Sequence, residues 1–246
     1  MGLLERENKV LNYLKNICDL EIPNPKYLGQ PSESFPYPFQ GYFKIPGQSG
    51  CYAQLTSEQR SQSIEPLAHF LKQIHSIDEE NAYKIGADKP VFDRTNKPTV
   101  FSNFKDLIQK VQKRGTLQLN VKVFEQEMAL ADAADLSNEN KVLVQGDLYC
   151  RHLMFNDKKN LTGIIDWGDV AINWSCVDLA VIHSFFETQD HPKFLDIYGA
   201  VSEANWQYAR FLGIYSSMNL ICYAQDIGDK ILYQEAKGSL KRLGCL

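Results

Sequence analysis

This sequence predicts an α+β fold, mainly helical, and three observations predict it. Apolar residues recur at helical spacing through most of the chain. Between Val142 and Ile165 the apolar runs are instead short and bounded by turn residues, which is the pattern of strands. With 246 residues, 44% hydrophobic and 23% charged, the chain can bury a substantial core as one large domain or as two lobes.

Taken in order, Leu3, Leu4, Val10, Leu11, Leu14 and Ile17 make residues 3–17 an amphipathic helix, closed off by Pro23 and Pro25. Lys26-Tyr27-Leu28 and Tyr42 to Ile45 read as strands separated by the Pro-rich turn Gln30 to Pro38, and Pro46-Gly47 breaks the chain. Thr56 with Gln59 forms a capping box, and Ile64, Leu67, Leu71 and Ile74 line one face of the helix that follows. His75 at its end reads as structural. Asp88 to Thr99, with Pro90 and Pro98, is a surface connection. Phe104, Leu107, Ile108 and Val111 form the next helix, and Phe124 to Leu136 another.

Val142 to Val144, Leu153 to Phe155 and Leu161 to Ile165 are strands, the last two joined by the polar turn Asn156 to Asn160. Trp174 to Phe186 is a helix, and Phe211, Ile214, Met218 and Ile221 mark a long one near the carboxyl end.

A turn centred near Lys158 and Lys159 sets His152 roughly opposite Ile165, at the same end of the hairpin as Asp166. Asp147 enters that end from the first strand. Two carboxylates and an imidazole thus arrive from three chain segments, and the chemistry this suits is a hydroxyl-activating base beside a two-residue metal cradle.

The run Gln145-Gly146-Asp147, then His152 five places on, an apolar strand, Ile164-Ile165-Asp166-Trp167-Gly168-Asp169, and Val177-Asp178-Leu179-Ala180 resembles the core of the aminoglycoside phosphotransferase family. That family is a small-molecule branch of the protein-kinase-like fold. The resemblance implies that Asp147 accepts or orients the proton of a substrate hydroxyl. It implies that His152 and Asp166 hold Mg2+ or Mn2+, and that ATP or GTP donates its γ-phosphoryl group. Gln145 stands where the family usually has His and can supply the hydrogen bond but not a titratable ring. His152 stands where Asn is usual and suits manganese better than magnesium. Asn173-Trp174-Ser175 replaces a usual Gly-Asp-Pro, with Asp178 expected as a buried structural Asp at a helix start.

Glu5-Arg6-Glu7 resembles the family's Glu-Arg-Glu, and Glu7 matches the Glu that pairs with a phosphate-binding lysine. By the same resemblance Phe43, Lys44 and Ile45 form the hinge whose backbone meets the base of the nucleotide. Residues 1–46 are then a truncated nucleotide-binding lobe with its hinge, and residues 47–246 a helical lobe with the catalytic loop and metal-binding hairpin. The family's glycine-rich loop and lysine precede the Glu-bearing helix, at which this chain starts. No Gly-x-Gly-x-x-Gly occurs, and neither Lys26 nor Lys44 is placed like that lysine. The expectation is weak nucleotide binding and little turnover. The alternative reading is a non-catalytic kinase-fold relic or ligand-binding protein; metal-dependent hydrolysis by the same three residues is a third.

The net charge of -4 gives no case for nucleic acid or an anionic membrane surface and mildly favours a cationic substrate. Asp169, with Glu187 and Asp190 after it, is the acidic candidate for contacting such a substrate, solvated surface being the plainer reading of the last two. Six cysteines without a Cys-x-x-Cys pair read as reduced thiols in a cytoplasmic protein, Cys150 as a small filler. No apolar run approaches membrane-spanning length, and no signal peptide is visible in Met1 to Lys15.

Overall fold

A computed structural model describes residues 2–246, so Met1 and what was read from it lie outside the described residues. The chain begins with α1 (Leu3–Leu14), whose Val10, Leu11 and Leu14 are buried. It stops short of Ile17 because its last turn tightens, Ile17 and Cys18 both donating to the Leu14 carbonyl, and Ile17 is left exposed.

Strands β1 (Tyr27–Gly29) and β2 (Phe39–Gly41) form an antiparallel pair with Tyr27 opposite Gly41. The strand expected at Tyr42 to Ile45 does not form. Pairing ends at Gly41 because the opposing chain runs into Pro25 and Pro23, which have no backbone N–H to offer. Glu21 instead bridges to the later hairpin, donating to the Thr162 carbonyl and accepting from the Ile164 amide.

After β3 (Gln48–Ser49) the Thr56 and Gln59 capping box is present in full and opens α2 (Ser57–Gln62). A break at Ser63 separates it from α3 (Ile64–His75), which buries the predicted stripe Ile64, Leu67, Leu71 and Ile74. Then come α4 (Glu79–Lys84), α5 (Lys97–Arg114) and α6 (Val121–Ala133). Helix α5 begins inside the stretch expected to be a connection, with Asn96 as its cap and Pro98 in its first turn, where a missing N–H costs nothing.

Strands β4 (Val142–Val144), β5 (Leu153–Phe155) and β6 (Leu161–Ile164) follow, with β7 (Ala171–Asn173) antiparallel to β4 and β3 completing a three-stranded sheet on β5. The chain ends in α7 (Cys176–Phe185), α8 (His191–Tyr198), α9 (Glu203–Ile227) and α10 (Lys230–Arg242). Helix α7 packs on α9, and α9 also meets α5, α6 and α10, while α8 covers α3. One continuous core joins α1 to these helices, and each large apolar side chain fully buried there is worth about 1.5–3 kcal/mol. The fold is the mixed, mainly helical one expected. All six cysteines are free thiols, and among the described residues no helix is long and apolar enough to cross a membrane.

Candidate active site

The hairpin of β5 and β6 carries the site, and its register is the one its turn dictates. Leu153 pairs with Ile164, the Ile165 amide donates to the His152 carbonyl at 3.0 Å, and Lys159 takes the left-handed conformation in the turn. His152 and Asp166 therefore leave the same end of the hairpin, with His152 Nε2 at 3.2 Å from Asp166 Oδ2. Asp166 itself has φ of 62°, a conformation Asp tolerates better than most residues and one that turns its carboxylate back toward the imidazole.

Asp147 arrives from β4 through Gly146, at φ of 93°, where a Cβ would lie 2.2 Å from the Asp169 carbonyl. Only glycine fits there. Gln145 locks the arrangement: its side-chain oxygen accepts from the Asp147 amide at 2.8 Å, and its side-chain nitrogen donates to the carbonyls of Ile165 and Asp166. The amide side chain thus ties the two carboxylate-bearing segments together.

Beneath it Asp178, fully buried on α7, accepts from the Gln145 and Gly146 amides at 2.7 and 2.9 Å and from His75 Nε2 at 3.2 Å. The other His75 nitrogen meets the Tyr198 hydroxyl at 2.7 Å. A buried carboxylate with three donors is satisfied, and it fixes the loop ahead of Asp147.

His152 Nδ1 lies 2.7 Å from the Asp147 carbonyl, which can only accept, so Nδ1 carries the proton. Nε2 then faces the Asp166 carboxylate. This donor set, one exposed carboxylate oxygen and one imidazole nitrogen, would suit a divalent ion, to which it would supply two ligands. Among the described residues no group of three or more His, Cys, Asp and Glu side chains is placed to hold a metal. The hydrogen bond from His152 holds the Asp166 carboxyl below its usual range. Burial pushes the Asp147 carboxyl above that range, against the opposing charges of Arg94 and His152.

Arg94 was not visible in the sequence as a site residue, since it lies in the connection ahead of α5. Its Nη2 is 2.5 Å from Asp147 Oδ1 and 3.4 Å from Asp169 Oδ2. Asp169, the acidic candidate for a cationic substrate, is thereby committed to Arg94. Asp190 accepts from Ser61, and neither it nor Glu187 lines the cavity at Asp147. That cavity has a volume of about 430 Å3 and runs from Asp147 and Leu148 to Tyr215, Asn219 and Tyr223 on α9.

Glu7 on α1 faces the Gln40 amide and the Asp166 carboxylate, and burial raises its pKa. Among the described residues no lysine pairs with it. Phe43, Lys44 and Ile45 line a different cavity, of about 540 Å3, that contains none of Glu7, Asp147, His152 and Asp166. Just ahead of that segment, Tyr42 approaches Glu7 and Asp166, and burial raises its hydroxyl pKa.

Comparison with known proteins gives one consistent picture. Residues 2–212 match the model of the phosphotransferase enzyme family, APH. Among solved structures, the GDP and kanamycin complex of APH(2")-IIia superposes with a TM-score of 0.66 at 20% identity, over 98% of this chain and 82% of that one. The macrolide 2'-phosphotransferase MphH from Brachybacterium faecium gives 0.57 at 17% identity, over 97% and 79%. The streptomycin and ATP ternary complex of APH(2")-IIa gives 0.52 at 20%, over 97% and 80%. At these identities the likeness is one of fold.

Proposed function

The chain belongs to the phosphotransferase enzyme family, and on that premise we propose that it transfers the γ-phosphoryl group of ATP or GTP to a hydroxyl of a small molecule. The observation that carries this reading is the position of Asp147, at the edge of a ligand-sized cavity on one side and 3.9 Å from the His152 ring, which bonds Asp166, on the other. A group so placed can lie between an acceptor and a phosphoryl donor.

In this proposal Asp147 orients the acceptor hydroxyl and takes its proton as the oxygen attacks phosphorus. Gln145 and Asp178 hold the Asp147 loop in place. His152 and Asp166 hold Mg2+ or Mn2+, which when bound offsets the charge on the triphosphate oxygens. Residues 1–46 form the nucleotide side, with Phe43 to Ile45 as the hinge, and residues 47–246 supply the acceptor side and the catalytic loop. Asp169 acts on the acceptor indirectly, through Arg94.

A second reading, a nucleotide- or ligand-binding protein without turnover, is favoured by two observations. Glu7 is faced by Gln40 and Asp166 rather than by a lysine, and Asp147 is already engaged by Arg94. The deciding measurement is release of ADP or GDP by the purified chain with Mn2+ or Mg2+ and a panel of hydroxyl acceptors, with Asp147→Asn as control. Acceptor-dependent release that the substitution abolishes supports phosphoryl transfer. Nucleotide binding without release in any combination supports the second reading.

A further inference from the structure

The cavity beside Asp147 is electrostatically opposite to the chain as a whole. The protein carries a net charge of -4, yet Asp147 is the one carboxylate lining this cavity, against two guanidinium groups, Arg94 and Arg151. Arg94 is occupied, with both Asp147 and Asp169 within ion-pair distance. Arg151 has no carboxylate partner of that kind. It lies over the Tyr223 ring at 5.2 Å and hydrogen-bonds the Tyr223 side chain, while Asp166 and Asp229 feel its charge only at longer range.

The remaining walls are aromatic and aliphatic, with Phe92, Tyr149, Tyr215 and Tyr223 the large surfaces; on the α9 side Ser216, Asn219 and the hydroxyls of Tyr215 and Tyr223 add neutral polar groups. A substrate with several ammonium groups would give up water here and find one carboxylate, itself already paired, so most of its charges would be left desolvated and unmatched. A flat apolar body finds partners on every side. An acidic group finds in Arg151 a planar donor with no carboxylate partner.

We propose that the acceptor is a hydroxyl compound with an aromatic or similarly flat apolar body and one acidic group. Its hydroxyl lies at Asp147 and its carboxylate or phosphate at Arg151. This rests on the phosphotransferase reading for the identity of the reacting hydroxyl, while the charge preference of the cavity stands without it. The cationic preference that net charge alone favours is reversed at this site, because the acidic residues of the chain lie elsewhere on its surface.

The test is binding in the absence of nucleotide, by saturation-transfer NMR and titration on the full chain, with three probes: para-hydroxymethylbenzoate, its neutral amide, and kanamycin. The acid is expected to bind about three- to tenfold more tightly than the amide, the range for a charged hydrogen bond at a partly exposed arginine. Kanamycin should not compete with it. Arg151→Gln should equalise the acid and the amide in this nucleotide-free binding.

Kanamycin binding as tight as the acid, or an acid with no advantage over the amide in wild type, overturns the proposal. So does an Arg151→Gln variant that keeps the preference for the acid. The two readings fail separately. Phosphorylation of kanamycin would sink the acidic acceptor and uphold phosphoryl transfer; the predicted order of binding with no turnover on any acceptor would do the reverse.

Discussion

The guanidinium of Arg94 lies 2.5 Å from the carboxylate of Asp147, across 53 residues of sequence, so the carboxylate proposed above to receive a hydroxyl proton is already held by a cation. The contact has two effects. It stabilises the ionised carboxylate against its own burial, and it fixes which carboxylate oxygen is left for the acceptor.

Asp147→Asn keeps the shape of the side chain and removes its basicity. Turnover is expected to fall about 10²- to 10⁴-fold relative to the wild-type rate, however slow that is, with unchanged thermal stability. Steady-state kinetics on both proteins checks this, and equal rates would remove Asp147 from the chemistry.

Arg94→Ala should move the acid limb of the pH–rate profile upward. The Asp147 pKa is already raised by burial and is lowered by Arg94, so losing the cation raises it further. The ionised base then appears only at higher pH. Profiles of kcat/KM for the two proteins show the direction, and a limb that stays put or moves down contradicts the assignment.

Asp166→Asn and His152→Ala should each weaken Mn2+ binding by more than the about ten- to hundredfold that loss of an outer-shell partner costs. Titration followed by the Mn2+ paramagnetic resonance signal, with ATP present, measures it. A variant with wild-type affinity would exclude that residue from the ligand set.

Asp178→Asn removes the charge from a buried acceptor of three hydrogen bonds. A loss of about 1.5–3 kcal/mol is expected for a hydrogen bond to a charged group, seen as a lower urea midpoint at constant slope. Activity should fall as well, because the Gln145 and Gly146 amides position Asp147.

Stability should decline on the acid side of the ordinary His range. Burial holds His183 well below its usual value, with the charges of His191 and Arg210 adding to the effect, and burial also lowers His191. Both bind protons less readily in the folded protein than in the unfolded chain, which takes them up below about 6.5. The stability they contribute is therefore complete above that pH and is lost as pH falls toward their depressed folded values. Thermal melts of wild type and His183→Gln, read against pH, should show a shallower acid-side decline in the variant.

Local signals in the sequence were legible where the physics is local. The turn at Asn156 to Asn160 set the register that brings His152 to Asp166, the Thr56 capping box needs only four residues, and Asp178 was recognisable from its place in a motif. Arg94 was not, because a cation in a Pro-bounded connection carries no mark of which distant carboxylate it meets. Arg151 stood inside the motif but gained meaning only from Tyr223 on α9 and from the acidic residues that fail to reach it. Tyr42 to Ile45 was read as a strand from its own apolar character, whereas pairing was decided by the prolines opposite. Strands β3 and β7, at two and three residues, are too short to leave a periodicity.

The Asp178 clamp has a kinetic corollary. The Gln145 and Gly146 amide protons are hidden by a carboxylate rooted in α7, which is buried along its whole length against α9, rather than by a ladder partner that can fray. In deuterium these two sites should exchange as slowly as the innermost helical amides, on the timescale of global opening, although they lie in a loop. The segment presenting Asp147 thus moves with the slowest cooperative unit of the protein, and whatever opens to admit a substrate must be built from the elements around it.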